Sequence, residues 1–316
     1  MDVLIVKLTS MGDLVQALPA LTDAQRARPE LRFDWVVDEA FAEVPAWHSA
    51  VRDVVTTAHR RWRRSSSGGE LGSELRGFVE RLREREYDAV IDAQTNLKSA
   101  LVTRLARGTR YGPDARSVSE WGAHLAYEHR FPLPRRQLAI ERWRQLLAQA
   151  LAYPLPRTPA DFGLAGKAWP EPDIDLPQDP FLVFVHNASW PNKGWPELYW
   201  RRLLERALRA GYEVVLPWGT AGEEAQAQRL AKGHTHARVL PRLKLTALAA
   251  VFLRSRGAVC VDTGLAHVSA ALDVPTVTLY GATDPRLIGA TGSNSTHLVA
   301  QGYPCIPCYR RRCRVP

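Results

Sequence analysis

The chain of 316 residues has only four cysteines, no long apolar run, and no glycine-rich dinucleotide fingerprint. No apolar stretch approaches the roughly 18 residues that a membrane span needs. The stretch of most interest, Leu245 to Leu253, is broken by Thr246. The first residues lack the marks of a signal peptide: Val3-Leu4-Ile5-Val6 is short, no basic region precedes it, and Lys7 follows at once. A cytoplasmic protein is the expectation, and the few cysteines fit a reducing compartment. Three of them, Cys305, Cys308 and Cys313, crowd the last dozen residues without an evident fourth ligand for zinc, so free thiols on a tail and no metal site are expected. The loop Thr9-Ser10-Met11-Gly12-Asp13 follows an apolar strand yet is not GxGxxG, which argues against a nucleotide-dependent oxidoreductase or epimerase.

What is present is positive charge, 42 basic against 33 acidic residues for a net +9. That excess implies an anionic partner (nucleic acid, phosphorylated metabolite or acidic lipid surface) without choosing among them. The length suggests two domains.

The hydrophobic rhythm is βαβ. Strands are predicted over Val3–Lys7, Arg32–Val37, Val51–Thr56 and Tyr87–Asp92, with helices over Leu14–Arg28 and Glu74–Arg85. Prolines 154, 156, 159, 170, 172, 177 and 180 then interrupt regular structure. A second alternation runs from Phe181 to Tyr280, with strands at Phe181–His186, Tyr212–Leu216, Arg238–Leu240, Ala258–Val261 and Thr276–Tyr280. Helices are expected between them, at Pro196–Ala210, Ala221–Lys232, Leu245–Arg254 and Gly264–Leu272. The expected division is residues 1–160, a proline-rich linker 161–180, and residues 181–316, as two α/β units facing across a cleft.

Several turns carry site-like chemistry. Val261 leads into Asp262-Thr263-Gly264-Leu265-Ala266-His267, where a strand end meets a helix start. Ligands of open parallel sheets sit beyond strand carboxyl ends, and a helix N-terminus offers N–H groups and partial positive charge to an anion. An ordinary cap, with Asp262 or Thr263 satisfying those N–H groups, explains the segment equally well. The loop His186 to Pro196 contains Ser189, Lys193 and two tryptophans; Trp190 and Trp195 could stack on a base or cover the core. Glu223 follows Pro217-Trp218-Gly219-Thr220 and suits ribose hydroxyls or the dipole of its own helix. Asp13 is a helix N-cap or a general base. The run His59 to Arg64, with Trp62 in its midst, suits phosphates and carboxylates or is a solvated face, and Ser65 to Gly69 suggests a mobile loop. Asp173-Ile174-Asp175 lies among prolines and is discounted as a metal site.

Taken in order, these blocks resemble one family. Val3 to Lys7, Ser10 to Asp13, Leu18 to Asp23, Phe33 to Val37, Arg60 to Arg63, Tyr87 to Gln94, Leu216 to Gly219, Val261 to His267 and Tyr280 to Pro285 resemble the ADP-heptose:lipopolysaccharide heptosyltransferases. Within the family, the Ser-Met-Gly-Asp and Arg-Arg-Trp-Arg blocks favour heptosyltransferase I over heptosyltransferase II or another core transferase. The resemblance implies a GT-B fold of two Rossmann-like domains, acceptor on the first and donor on the second. The implied reaction is inverting and metal-independent, moving L-glycero-D-manno-heptose from ADP-heptose to the first Kdo of Kdo2-lipid A. No cofactor and no nucleic acid are implied. Peripheral contact with the cytoplasmic face of an anionic inner membrane is expected, and a monomer.

By the same resemblance, Asp13 is the general base, and Ser10, Gly12, Arg60, Arg61 and Arg63 serve the acceptor. Ser189, Lys193, Glu223, Asp262, Thr263, Gly264, Leu265 and His267 serve the donor. Lys193 neutralises the leaving diphosphate, Glu223 binds ribose, Asp262 contacts the sugar, and the Thr263 to Leu265 amides hold phosphate. The chain departs from the family at Ala188-Ser189, where two threonines are usual, and at Ser119, where an arginine is expected. Relatives also run past Pro316 into a helix that returns to the first domain. A non-catalytic anion-binding or RNA-binding protein is the reading from another class, with a steep salt dependence and no turnover.

Overall fold

The structure, a computed structural model, describes residues 1–63 and 68–313. It divides into two compact units, Met1–Leu164 and Ala165–Pro316.

The first unit holds a six-stranded sheet of β1 (Asp2–Val6), β2 (Arg32–Asp38), β3 (Val51–Thr57), β4 (Glu86–Asp92), β5 (Arg107–Pro113) and β6 (His129–Phe131), in the order β3-β2-β1-β4-β5-β6. Every neighbouring pair is parallel. Parallel strands need crossover connections that cover both faces, which is why β1 reads as one apolar run with no alternation. Leu4, Val6, Val36, Val90 and Tyr87 pack with Phe78 and Leu82 of the helix Gly68–Arg83 on one side. Elsewhere in this unit, helices Leu18–Ala27 and Ala139–Ala150 pack together. Between these helices Arg144 Nε meets Asp23 Oδ2 at 2.6 Å, both side chains being almost fully buried, and Nη2 donates to the Thr158 carbonyl at 2.9 Å. A buried guanidinium is tolerable here because its N–H groups and its carboxylate partner are hydrogen-bonded.

The second unit repeats the plan with β7 (Phe181–Val185), β8 (Glu213–Leu216), β9 (Ala237–Val239), β10 (Gly257–Val261), β11 (Thr276–Tyr280) and β12 (Ser295–Val299), in the order β12-β11-β10-β7-β8-β9 and again wholly parallel. Phe184, Val214, Leu216 and Val261 pack against Trp200 and Leu204 of the helix Glu197–Arg209. Each sheet therefore has the Rossmann strand order, with a switch point beside its first strand: between β1 and β4, and between β7 and β10.

The sequence expectations differ from the structure in definite places. The single helix over Leu14–Arg28 is two, Met11–Val15 and Leu18–Ala27, because Pro19 has no N–H to continue the first and suits the opening turn of the second. The helix Leu97–Leu105, β5, β6, the helix Ala139–Ala150 and β12 were not expected, although Ile140, Trp143, Leu147 and Ala150 are spaced for one helix face. β5 is Arg-Gly-Thr-Arg-Tyr-Gly-Pro, without apolar alternation. Ser65 to Ser67, read as a mobile loop, lie outside the described residues, as does Arg64; Gly68 and Gly69 begin a helix.

His48 shows how closely the first unit is packed. Its Nδ1 accepts from the Ala50 N–H at 3.1 Å and its Nε2 lies 2.9 Å from Thr22 Oγ1. Gly163, with φ of +67°, passes so near that a side chain there would collide with the imidazole. Burial pushes the His48 pKa down to about 4, against a smaller opposing pull from Asp161. The folded imidazole thus binds fewer protons than the unfolded one between pH ~6.5 and about 4, so stability is lost as pH falls through that window. Chemical unfolding of wild type and His48→Gln at stepped pH should show a loss of about 3 kcal/mol between pH ~6.5 and 4 that is missing from the variant; parallel profiles would refute a buried neutral imidazole.

Candidate active site

In the first unit, the switch point places the loop after β1 beside the loop after β4. Lys7 directly follows β1 and is buried, its Nζ donating to the Ala93 carbonyl at 2.8 Å and lying 3.9 Å from the centre of the Trp143 ring. Burial lowers its pKa to about 8, while the charges of Asp13 and Asp92 pull the other way. Asp92 ends β4 with both carboxylate oxygens engaged: Oδ1 accepts from the Gln94 and Thr95 N–H groups, Oδ2 from Ser99 Oγ at 2.8 Å and Tyr127 OH at 2.7 Å. Thr9 N–H donates to Gln94 Oε1 at 3.1 Å and ties the two loops.

On that base sits Asp13. It is not the N-cap: Ser10 caps the helix Met11–Val15, and Asp13 at its third position accepts from Ser10 N–H at 2.9 Å and Ser10 Oγ at 2.6 Å. This reciprocal box fixes the carboxylate while leaving it half-buried. Gly12, between them, is buried.

The basic run is partly spoken for. Arg61 is bridged to Glu39 and Glu74, Arg60 lies 4.9 Å over the Phe41 ring, and Arg63 is exposed. Trp62 donates its Nε1–H to Glu74 and packs edge-on to Phe78 at 5.8 Å, so it covers the core and is not free to enter lipid or sugar.

In the second unit, Asp262 directly follows β10, opposite the loop that follows β7. Its Oδ2 meets Lys193 Nζ at 2.8 Å and accepts from Thr283 Oγ1. The pair is largely withdrawn from solvent, at 4% exposure for Asp262 and 14% for Lys193. Lys193 also lies 4.8 Å over the Trp190 ring, whose centre has Arg311 at 5.6 Å; Trp190 thus carries cations, and Trp195 packs against Trp200 on the core. The neighbouring helix Gly264–Ala271 has Thr263 as N-cap with no side-chain capping bond. With Asp262 committed elsewhere, the cap alternative for this turn loses both its candidates, and the helix end keeps donors for an anion. His267 lies buried at the fourth residue of that helix.

Other expected residues stand apart. Glu223 Oε2 accepts from Gly219 N–H at 2.8 Å and Thr220 N–H at 3.1 Å, completing a capping box with Thr220. Ser189 is exposed on its loop. No hydrogen bond or ion pair joins either of them to the Lys193–Asp262 pair among the described residues. The tail folds over the Lys193 loop: Asn192 donates to the Arg310 carbonyl, and Tyr309 N–H to Ala282 O at 2.8 Å. Lys193, Trp195, Tyr280, Tyr303 and Cys308 line a cavity of about 650 Å³ there. Among the described residues no three His, Cys, Asp or Glu side chains cluster to hold a metal. Thr283 and Lys7 were missed by sequence reasoning, although both lie in blocks that carried the family resemblance.

Two parallel sheets of Rossmann order, the second with an uncapped helix end beside a buried lysine, are the architecture of the GT-B class. The model of glycosyltransferase family 9 (heptosyltransferase) matches residues 75–316. Lipopolysaccharide heptosyltransferase 1 of Pseudomonas aeruginosa is 49% identical over 314 residues, covering 99% of this chain and 87% of the relative. The structure of E. coli heptosyltransferase WaaC with ADP superposes with a TM-score of 0.89 at 44% identity, covering 96% of this chain and 94% of the other. The same enzyme with ADP-2-deoxy-2-fluoro heptose gives a TM-score of 0.86 at 43% identity, with the same coverage. The chain belongs to glycosyltransferase family 9, the heptosyltransferases.

The Lys193–Asp262 pair makes a stability prediction independent of turnover. Lys193→Ala leaves a buried carboxylate uncompensated and should cost about 3 kcal/mol in urea unfolding, with much of the loss regained in Lys193→Ala/Asp262→Asn. Additive losses in the double variant would mean the two side chains are not coupled.

Proposed function

We propose that this chain transfers L-glycero-D-manno-heptose from ADP-heptose to the first Kdo of Kdo2-lipid A, with inversion and without a metal in the chemical step, in lipopolysaccharide inner-core synthesis on the cytoplasmic face of the inner membrane. The observation that carries the reading is the Lys193–Asp262 pair beside the uncapped end of the helix Gly264–Ala271. Breaking the glycosidic bond to ADP puts negative charge on the diphosphate, and fixed donors in a site shielded from water stabilise that charge best. Lys193 and the Thr263, Gly264 and Leu265 amides supply them. Asp262, already holding Lys193 in place, contacts the heptose hydroxyls. Glu223 takes the ribose and His267 stands behind the phosphate turn; Ser189 contributes one hydroxyl where the family has two threonines.

On the acceptor side, Asp13 accepts the proton of the attacking Kdo hydroxyl as ADP departs from the opposite face. Its box with Ser10 orients one oxygen, Oδ2, and leaves the other for that proton. Arg60 and Arg63, and Arg61 if it is released from Glu39 and Glu74, match the carboxylates and phosphates of the acceptor.

ADP release with ADP-heptose and Kdo2-lipid A tests the assignment. Wild type should release ADP only with acceptor present, and Asp13→Asn should lose about 10²–10⁴-fold in kcat. Lys193→Ala should bind donor more weakly and turn over about 10²-fold more slowly. Equal turnover by Asp13→Asn would remove the base, and no turnover by folded wild type would remove the reaction.

A further inference from the structure

One exposed region of the first unit has a composition that its own fold does not explain. Leu97 and Leu101 lie one turn apart on the helix Leu97–Leu105, exposed by 55% and 62%. Leu125 is exposed by 61% on the short helical stretch Ala123–Ala126 that packs beside them, and Trp121, just before that stretch, by 81%. The two segments are joined: Leu97 N–H donates to Glu120 Oε2 at 2.9 Å, Ser119 N–H donates to the Thr95 carbonyl at 3.0 Å, and a Cβ on Gly122 would touch Leu97. Beneath them Ala100, Val118, Ala123, Ala126 and Tyr127 form a buried cluster. These four large apolar side chains are therefore held outward by ordered backbone over a packed floor. Single exposed leucines are ordinary, but a tryptophan and three leucines on two adjoining segments are not.

Cations accompany the patch. Lys98 and Arg104 are exposed on the same helix, Arg104 one turn beyond Leu101. The His59 imidazole is pushed toward its neutral form first by burial and then by the charges of Lys98, Arg60 and Arg63, against Asp38, so Lys98 continues the basic run. The region adjoins the loop after β4, on the carboxyl edge of the sheet that also carries Asp13. No helix among the described residues is long and apolar enough to cross a membrane.

We infer that Leu97, Leu101, Trp121 and Leu125, flanked by Lys98, Arg104, Arg60 and Arg63, form a docking surface for an anionic lipid bilayer. Leucine and tryptophan enter the interfacial layer, where an indole finds both apolar and polar neighbours, and the cations face the lipid phosphates. The bilayer is the occupant because apolar and cationic groups are displayed side by side, with the apolar ones most exposed. This inference rests on the proposed acceptor, a glycolipid of that bilayer, and adds the surface by which the enzyme reaches it.

The test needs no turnover in its first arm. Wild type and Leu101→Ser/Trp121→Ser/Leu125→Ser are mixed with phosphatidylglycerol-containing or neutral phosphatidylcholine vesicles lacking acceptor, and bound protein is measured by flotation. Wild type should favour anionic vesicles, with binding weakened by salt, and the variant should bind them about tenfold or more weakly. In the second arm the variant should keep wild-type kcat and KM on a deacylated, water-soluble Kdo2 acceptor but show a raised KM for acceptor embedded in vesicles. Vesicle binding unchanged in the variant overturns the inference, as does a wild type that ignores anionic vesicles. Loss of activity on the soluble acceptor would assign the patch to the saccharide site or to folding. A wild-type dimer that the variant converts to monomer would assign it to a second copy. If neither protein turns over while wild type alone binds vesicles, the docking surface stands and the proposed reaction fails.

Discussion

An all-parallel sheet can be wound only through crossovers, and that constraint decides where chemistry is available in this chain. Strands β1 and β7 each open a sheet, receive neighbours on one side, and then receive β4 or β10 on the other. Connections leaving the first strand therefore diverge from those leaving the fourth, and a gap opens between them at the carboxyl edge. Asp13 follows β1; Lys193 follows β7 and Asp262 follows β10. The polar residues that matter are those the winding cannot cover.

The two edges treat a buried lysine differently. Lys7 is enclosed, with a carbonyl and a tryptophan face for company, and burial depresses its pKa. It serves the architecture, pulling the β4 loop against β1 so that the Ser10–Asp13 box has a fixed floor. Lys193 has a carboxylate at contact distance and keeps some exposure, so its ammonium is reachable. A lysine in the first setting cannot receive a phosphate without unmaking the core; one in the second needs only to share its partner.

How much of this was legible follows the same division. Strands buried on both faces announce themselves as short apolar runs, so β1, β2, β4, β7 and β10 were readable within a residue or two. Strands toward the sheet margins have less such need: β6 and β12 at the edges, and β5 beside β6, are polar or mixed and were invisible, although the edge strands β3 and β9 were read. The site turns were legible as strand-to-helix junctions, but not as contacts. Asp262 offered itself as a cap until Lys193, 69 residues away in sequence, and Thr283 were seen to occupy it. Asp13 looked like a cap because local rules stop at the helix start, whereas Ser10 three residues earlier holds that place. Pairings at long sequence separation are what composition and spacing do not encode.

Ser119, at a position where the family resemblance led an arginine to be expected, is explained by its surroundings. Where an arginine is expected, the Ser119 hydroxyl donates to the Thr95 carbonyl at 2.6 Å and receives the Thr95 hydroxyl at 3.1 Å. The position is thus spent on binding the segment before Trp121 to the loop after β4. An arginine side chain there would reach outward and give up that short clasp, loosening the support on which Trp121 and Leu125 are displayed. Positive charge at this edge is instead supplied by the longer side chains of Lys98, Arg60 and Arg63. The chain separates two duties, keeping the turn rigid with a small hydroxyl and meeting anions with longer side chains rooted elsewhere.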